Sequence, residues 1–145
     1  MATSTVEEIG IGPLRIRFLL EGAESGGSVA VFEFDLPSGT PPPPAHSHDG
    51  YEETIYGLEG VSTWTVDGRR IDLGPGEVLC IPRGVVHGFE NDHGAEARML
   101  AIVTPGILGP DYFREIAAVL DAAGGRPDPK AIGAVMRRHG LTPAG

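Results

Sequence analysis

The chain has 145 residues, 41% of them hydrophobic, with a mean hydropathy of -0.02. That is enough to bury a core without disulfides, and no run of about 18 apolar residues is present to cross a membrane. Its net charge of -9 and pI near 4.9 repel phosphate backbones and anionic lipid, which excludes nucleic acid and membrane surfaces as expected partners.

The N-terminal stretch, Met1 to Gly12, carries two glutamates and neither a basic region nor an apolar core, so no signal peptide is read and the cytoplasm is the expected compartment. For Met1 to Gly10 the sequence leaves disorder and exchange with a second subunit both open. Leu14, Ile16, Phe18 and Leu20 alternate with Arg15 and Arg17, the period of a half-buried strand. Val29 to Leu36 repeats the pattern, with Ala30, Phe32, Phe34 and Leu36 on one face and Glu33 and Asp35 on the other. Pro41 to Pro44 then impose an extended approach without backbone donors. Further strands are expected at Thr54–Leu58, Val61–Val66, Arg69–Leu73, Val78–Ile81, Val85–Glu90 and Arg98–Thr104. Asp67-Gly68 between two alternating runs marks a tight hairpin. Short strands at this even spacing predict a sandwich or barrel. After Gly106 the period changes. Phe113, Ile116, Ala117 and Leu120 predict a helix over 111–123, and Asp128-Pro129 opens a second one that Gly140 ends. The reading is one domain over 1–145, with a barrel over about 12–106 and a helical tail over about 110–140.

Three of the five histidines lie in two compact clusters. In an extended segment residues i and i+2 share a face, so His46 and His48 can both reach one ion. Glu53, beyond the Asp49-Gly50 turn, can return to the same side, and His87 brings a third imidazole from a distant strand. Three imidazoles and one carboxylate form a mixed nitrogen and oxygen site, suited to Fe, Mn, Ni, Cu, Co or Zn and unsuited to calcium.

Both clusters resemble the two motifs of the cupin superfamily. The second matches at Gly76, Pro82, Gly84, His87 and Asn91, and the first at His46, His48, Glu53 and Gly60. The first departs at its opening, because Gly39 lies one residue further from His46 than usual. The short spacing between Gly60 and Gly76 is typical of small single-domain members. The resemblance spans roughly residues 25 to 105. It implies an all-β fold, a double-stranded β-helix (jelly-roll) barrel, followed here by a short two-helix C-terminal tail. It also implies one divalent transition metal per chain on His46, His48, Glu53 and His87, and it selects Glu53 over Glu52 by the distance to Gly60. The tail lies outside the motifs and carries no functional signal.

The chain is similar to small quercetin-dioxygenase-like cupins, which implies a metal-dependent dioxygenase acting on a small oxygenated organic substrate, with Glu53 relaying a proton. A cupin lyase or isomerase would use the same site. A barrel that senses or stores a small molecule without turnover is the other reading. The family also implies a homodimer. Among the remaining residues, Trp64, Phe32, Phe34, Phe89 and Met99 are expected in the core, and Cys80 as a small buried hydrophobe. His93 is read as a solvent-facing loop residue, His139 as a cation at a helix C-terminus, and Asn91 as the brace of the loop after His87. Tyr51 and Tyr56 are candidates for contact with substrate.

Overall fold

The alternating runs of the first hundred residues become two antiparallel sheets. The computed structural model describes residues 6–126 and 128–144. Strands β1 (Glu7–Ile11), β2 (Leu14–Leu20), β3 (Ala30–Leu36), β5 (Glu52–Glu59), β8 (Val78–Ile81) and β10 (Ala97–Thr104) form a six-stranded sheet in the order β1-β2-β3-β10-β5-β8. Strands β4 (His46–His48), β6 (Ser62–Val66), β7 (Arg69–Leu73), β9 (His87–Glu90) and β11 (Leu141–Pro143) form a second, in the order β11-β4-β9-β6-β7. Helices α1 (Pro110–Ala122) and α2 (Pro129–Arg138) come between β10 and β11. This is the expected jelly roll with a two-helix tail.

Period-2 alternation sorts each strand into faces. Ile16 and Phe18, then Ala30, Phe32, Phe34 and Leu36, then Met99, Ala101 and Val103 are all buried. Phe34 meets Trp64 edge-on at 6.1 Å and Phe89 at 5.4 Å, so aromatic rings join the two sheets. Trp64 donates its indole N–H to Ser62 Oγ at 2.9 Å, which satisfies the polar atom of the largest buried side chain. Asp35, expected on the polar outer face, is instead covered there. Arg17 donates to both its carboxylate oxygens at 2.8 and 2.7 Å, and Arg98 adds a third bond at 3.1 Å. Those guanidinium bonds hold the Asp35 carboxyl below the usual range.

The turns follow the glycines. Asp67 and Gly68 take φ of 51° and 79°, the pair of left-handed conformations that a two-residue hairpin needs. Gly60 of the first motif has φ 63°, and a Cβ there would lie 2.1 Å from the Glu96 carbonyl oxygen, so only glycine fits.

Four expectations are corrected. Glu7–Gly10 are ordered as a strand and pair with Arg15–Phe18 of the same chain, and residues 1–5 of that expectation lie outside the described residues. Strand β9 starts at His87 rather than Val85, because the turn Pro82–Gly84 extends to Val85, whose N–H returns to Pro82 O at 3.3 Å. Cys80 is exposed, since on β8 the inward positions are Leu79 and Ile81 and parity turns Cys80 outward. Strand β11 was not foreseen, and it pairs Leu141 with His48 and Pro143 with His46.

The tail packs on the barrel. The Phe113 ring of α1 sits 5.1 Å from Phe32 and 6.1 Å from Phe18. Asp128 caps α2, its side chain accepting from the Lys130 and Ala131 amides, as the Asp-Pro signal predicts. Among the described residues, no helix is long and apolar enough to cross a membrane.

Candidate metal centre

The His-Ser-His segment enters the barrel after four prolines, and β4 holds its two imidazoles on one face. Strand β9 lies antiparallel beside it, with His46 and His87 as register partners. The second motif is tied to the first by the backbone, Gly84 N–H donating to His48 O at 2.8 Å. Asn91, 1% exposed, donates to Leu36 O and Ala95 O and accepts from His93 N–H, so it braces the loop after β9 as expected.

The three imidazoles converge. Ring centroids are 5.1 Å apart for His46 and His48, 4.7 Å for His46 and His87, and 4.5 Å for His48 and His87. One nitrogen of each lies within 4.8 Å of the other two, close enough that the three histidines could hold a metal ion. The Nδ1 atoms of His46 and His87 lie 3.1 and 3.0 Å from the carbonyls of Pro44 and Val85. A carbonyl only accepts, so both rings carry their proton on Nδ1 and leave Nε2 as a lone pair. Nδ1 of His48 is buried without a hydrogen-bond partner among the described residues. Burial pushes all three imidazoles down: His46 to about 4, His48 to about 2, and His87 also below the ordinary value. Mutual repulsion from His87 adds to the effect at His46 and His48. All three are neutral at pH 7, the form that binds a cation.

Glu53 comes from β5 of the facing sheet. Its Oε1 is 3.9 Å from His87 Nε2, and its side chain is buried. Burial alone, without a cationic partner, raises its carboxyl to about 7. Glu52 turns away and pairs with Arg83 at 3.0 Å. Tyr51 stacks on His48 at 4.5 Å and 20°, with its hydroxyl buried and unpartnered among the described residues. Tyr56 is 40% exposed and points away, so only one of the two tyrosine candidates lies at the site. His93 is half-buried rather than solvent-facing, bonded to Thr63 Oγ1 at 2.9 Å, and lies outside the cluster. His139 closes α2 and pairs with Glu115.

The cluster forms one end of a cavity of about 450 Å³. The walls include Phe32, Phe34, Trp64 and Phe89, and the proline run contributes to them. Sequence reasoning missed the rest of the wall: Tyr112, Phe113, Ile116, Met136 and Leu141 come from the tail. The apolar stripe of α1 was visible as a pattern, but nothing in it says which barrel surface it covers.

Residues 32–103 match the Cupin_2 model, described as a cupin domain. Among curated proteins the chain is similar to quercetin 2,3-dioxygenase of Bacillus subtilis (strain 168), at 37% identity over 71 residues. The match covers 49% of this chain and 20% of that protein, so the chain spans about one fifth of that relative. Among solved structures it is similar to one titled a predicted oxalate decarboxylase from Thermotoga maritima, with TM-score 0.64 and 23% identity over 72% of this chain and 99% of that one. It is also similar to ectoine synthase from P. lautus, with TM-score 0.58 and 19% identity over 68% of each chain. At such identities the structural likeness speaks for the fold alone.

Proposed function

This chain is a small cupin, and from that premise we propose that it holds one divalent transition metal on His46, His48, Glu53 and His87 and acts as a dioxygenase-type oxidoreductase on a small oxygenated organic substrate. The observation that carries the reading is the meeting of three neutral imidazoles and one buried carboxyl in an apolar cavity. The donor set fits Fe, Mn, Ni, Cu, Co or Zn. Among the described residues a buried His48 nitrogen has no partner and the buried Glu53 carboxyl has no cation, and both support the fit, because unsatisfied buried polar groups are costly. Bound there, the ion would supply Lewis acidity and a template for substrate oxygens and dioxygen.

The chain's own residues supply the remainder. The Pro44 and Val85 carbonyls fix the tautomers of His46 and His87, and Tyr51 holds the plane of His48. The apolar walls keep bulk water from the reacting end. Glu53, the carboxylate of the cluster, would take the hydroxyl proton of an enol or phenol as the substrate oxygen binds. We place the protein in the cytoplasm as a homodimer.

Metal analysis of the purified protein, oxygen uptake with flavonols, β-diketones and catechols, and light scattering for the dimer test this reading. The expected result is one metal per chain and oxygen uptake that Glu53→Gln abolishes. Metal without uptake across the panel turns the reading to a binding barrel, and product formation without oxygen turns it to a lyase or isomerase. A protein that takes up no transition metal overturns it.

A further inference from the structure

The cavity is chemically lopsided. Apart from its wall of aliphatic, aromatic, glycine and proline residues, it is lined by Thr40, His46, His48, Glu53, His87 and Tyr112. The Thr40 hydroxyl is committed to Pro37 O at 2.7 Å. The Trp64 N–H is committed to Ser62. Polar groups with capacity left are the three imidazoles, Glu53 and Tyr112. No lysine or arginine is among the lining residues described. Of the nearby arginines, Arg17 and Arg98 are engaged on Asp35 and Arg83 on Glu52, while Arg15 is exposed and donates to the Gly12 and Leu14 carbonyls. A phosphate, sulfonate or second carboxylate in this space would therefore face Glu53 and apolar walls with no fixed cation to pair with, which buried charges need.

Much of the apolar wall belongs to the C-terminal segment. Phe113 and Ile116 of α1, Ile132 and Met136 of α2, and Leu141 of β11 all line it, and every one lies outside the matched residues 32–103. The segment is anchored as well as packed. Strand β11 pairs with β4, Thr142 donates to Asp49 at 2.8 Å, and Asp49 N–H donates to Gly140 O at 2.9 Å. The strand that presents His46 and His48 and the segment that completes the apolar wall are thus one unit.

We infer that the cavity takes a molecule with an apolar, uncharged body and its oxygen atoms gathered at one end, and that Phe113, Ile116 and Met136 of the C-terminal helices select the body. The oxygen-bearing end rests on the proposed metal reading; the choice of body does not. A divalent ion with one carboxylate carries a single net positive charge, which one ionised enol or phenol oxygen balances and a dianion does not.

A matched pair of fluorophores tests the body without metal: N-phenyl-1-naphthylamine, which is neutral, and 8-anilino-1-naphthalenesulfonate, the same skeleton with a sulfonate. Metal-free full-length protein is expected to bind the neutral probe once per chain and at least ~10-fold more tightly than the sulfonate. Phe113→Ala and Met136→Ala are expected to weaken it, and Ile116→Arg, with folding checked by circular dichroism, to turn the preference toward the sulfonate. Equal binding of the two probes by the parent protein overturns the inference, as does neutral-probe binding indifferent to both alanine variants. A second arm uses zinc-loaded protein and catechols with longer 4-alkyl chains. Affinity is expected to rise about fourfold per buried methylene, with 3,4-dihydroxybenzoate weaker than 4-methylcatechol. Zinc that does not bind sinks the metal reading while the fluorophore result stands. Zinc and plain catechol that bind, with no gain from the alkyl chain, sink the inference while the metal reading stands.

Discussion

Two histidine and carboxylate clusters flank strand β9, and they differ in the water around them. At its start His87, 2% exposed, meets His46, His48 and Glu53 inside the barrel. Just past its end the His93 side chain, 34% exposed, lies 3.6 Å from Asp72 and 3.7 Å from Asp92, both of which face solvent. The outer cluster is rich in charge, and its partners are a threonine and water-facing aspartates. The inner one has a single carboxyl and no cation. Charge in water is screened and weakly coupled, whereas the dry cluster holds its imidazoles neutral, ready for an ion, and its carboxyl with a proton that a bound ion would displace. Proximity of histidine to acid does not make a site; desolvation with matched donors does.

The largest effect that separates the two clusters is metal retention. His87→Ala is expected to lower transition-metal affinity at least ~100-fold, read by calorimetry on refolded, metal-stripped protein, while His93→Ala keeps it. Equal retention in both variants would break the contrast and the ligand set with it.

Acid sharpens the contrast next. Glu53 in the metal-free protein holds its proton up to about 7, while His46 stays neutral down to about 4. Between those limits binding must displace one proton, and it comes from Glu53. Affinity is therefore expected to fall about tenfold for each pH unit below 7. In Glu53→Gln the slope is expected to become shallower below pH 7. A slope that the substitution leaves unchanged assigns the proton to another group. The general expectation that histidine protonation limits the site in acid is thus moved to the carboxylate, because burial shifts the two kinds of group in opposite directions.

That reversal marks where the sequence stops being legible. Alternation put His46 and His48 on one face, and the resemblance to the two cupin motifs brought Glu53 and His87 to them. The same parity, followed along β8, would have put Cys80 outside; reasoning from the usual burial of cysteine overrode it. Tyr56 fails likewise, being three residues from Glu53 and so on the opposite face. The tail was read correctly as two helices, with Asp128 and Pro129 as the signal. Its docking over the cavity was hidden, because an amphipathic stripe says that a face is buried and not what it is buried against. Strand β11 was hidden for a related reason: three residues pairing with β4 across 93 positions, as in the bond from Thr142 to Asp49, leave no local pattern.

Folding stability of the metal-free protein carries the next effect. His46 and His48 have folded pKa values of about 4 and about 2, below the unfolded value of 6.5. Their contribution is present above pH 6.5 and is lost as pH falls through that window. Glu53, raised to about 7 from 4.5, acts in the opposite sense, contributing below pH 4.5 and losing that contribution as pH rises to 7. Between pH 6.5 and 4.5 the unfolded chain thus binds two more protons at the histidines and one fewer at the glutamate. The net of one proton predicts a loss on the order of 1 kcal/mol per pH unit, and His87, also lowered, adds to it. Urea titrations at three pH values read this slope, and flat stability across the window contradicts the desolvation of the cluster.

The smallest effect belongs to the outer cluster. His93→Ala removes the 2.9 Å bond to Thr63 Oγ1, yet Thr63 keeps its 2.7 Å bond to Asp72 and Asn91 keeps its bonds to Leu36 and Ala95. The variant exposes a half-buried loop and leaves no buried donor or acceptor without a partner. A single net hydrogen bond is then at stake, about 0.5–1 kcal/mol, read as a small shift of the urea midpoint at constant slope. A loss several times larger would mean that His93 supports the loop holding β9 in place, and metal affinity would fall along with stability. An unchanged affinity beside a small midpoint shift isolates the two clusters energetically, although both sit on one short strand and its flanking loop.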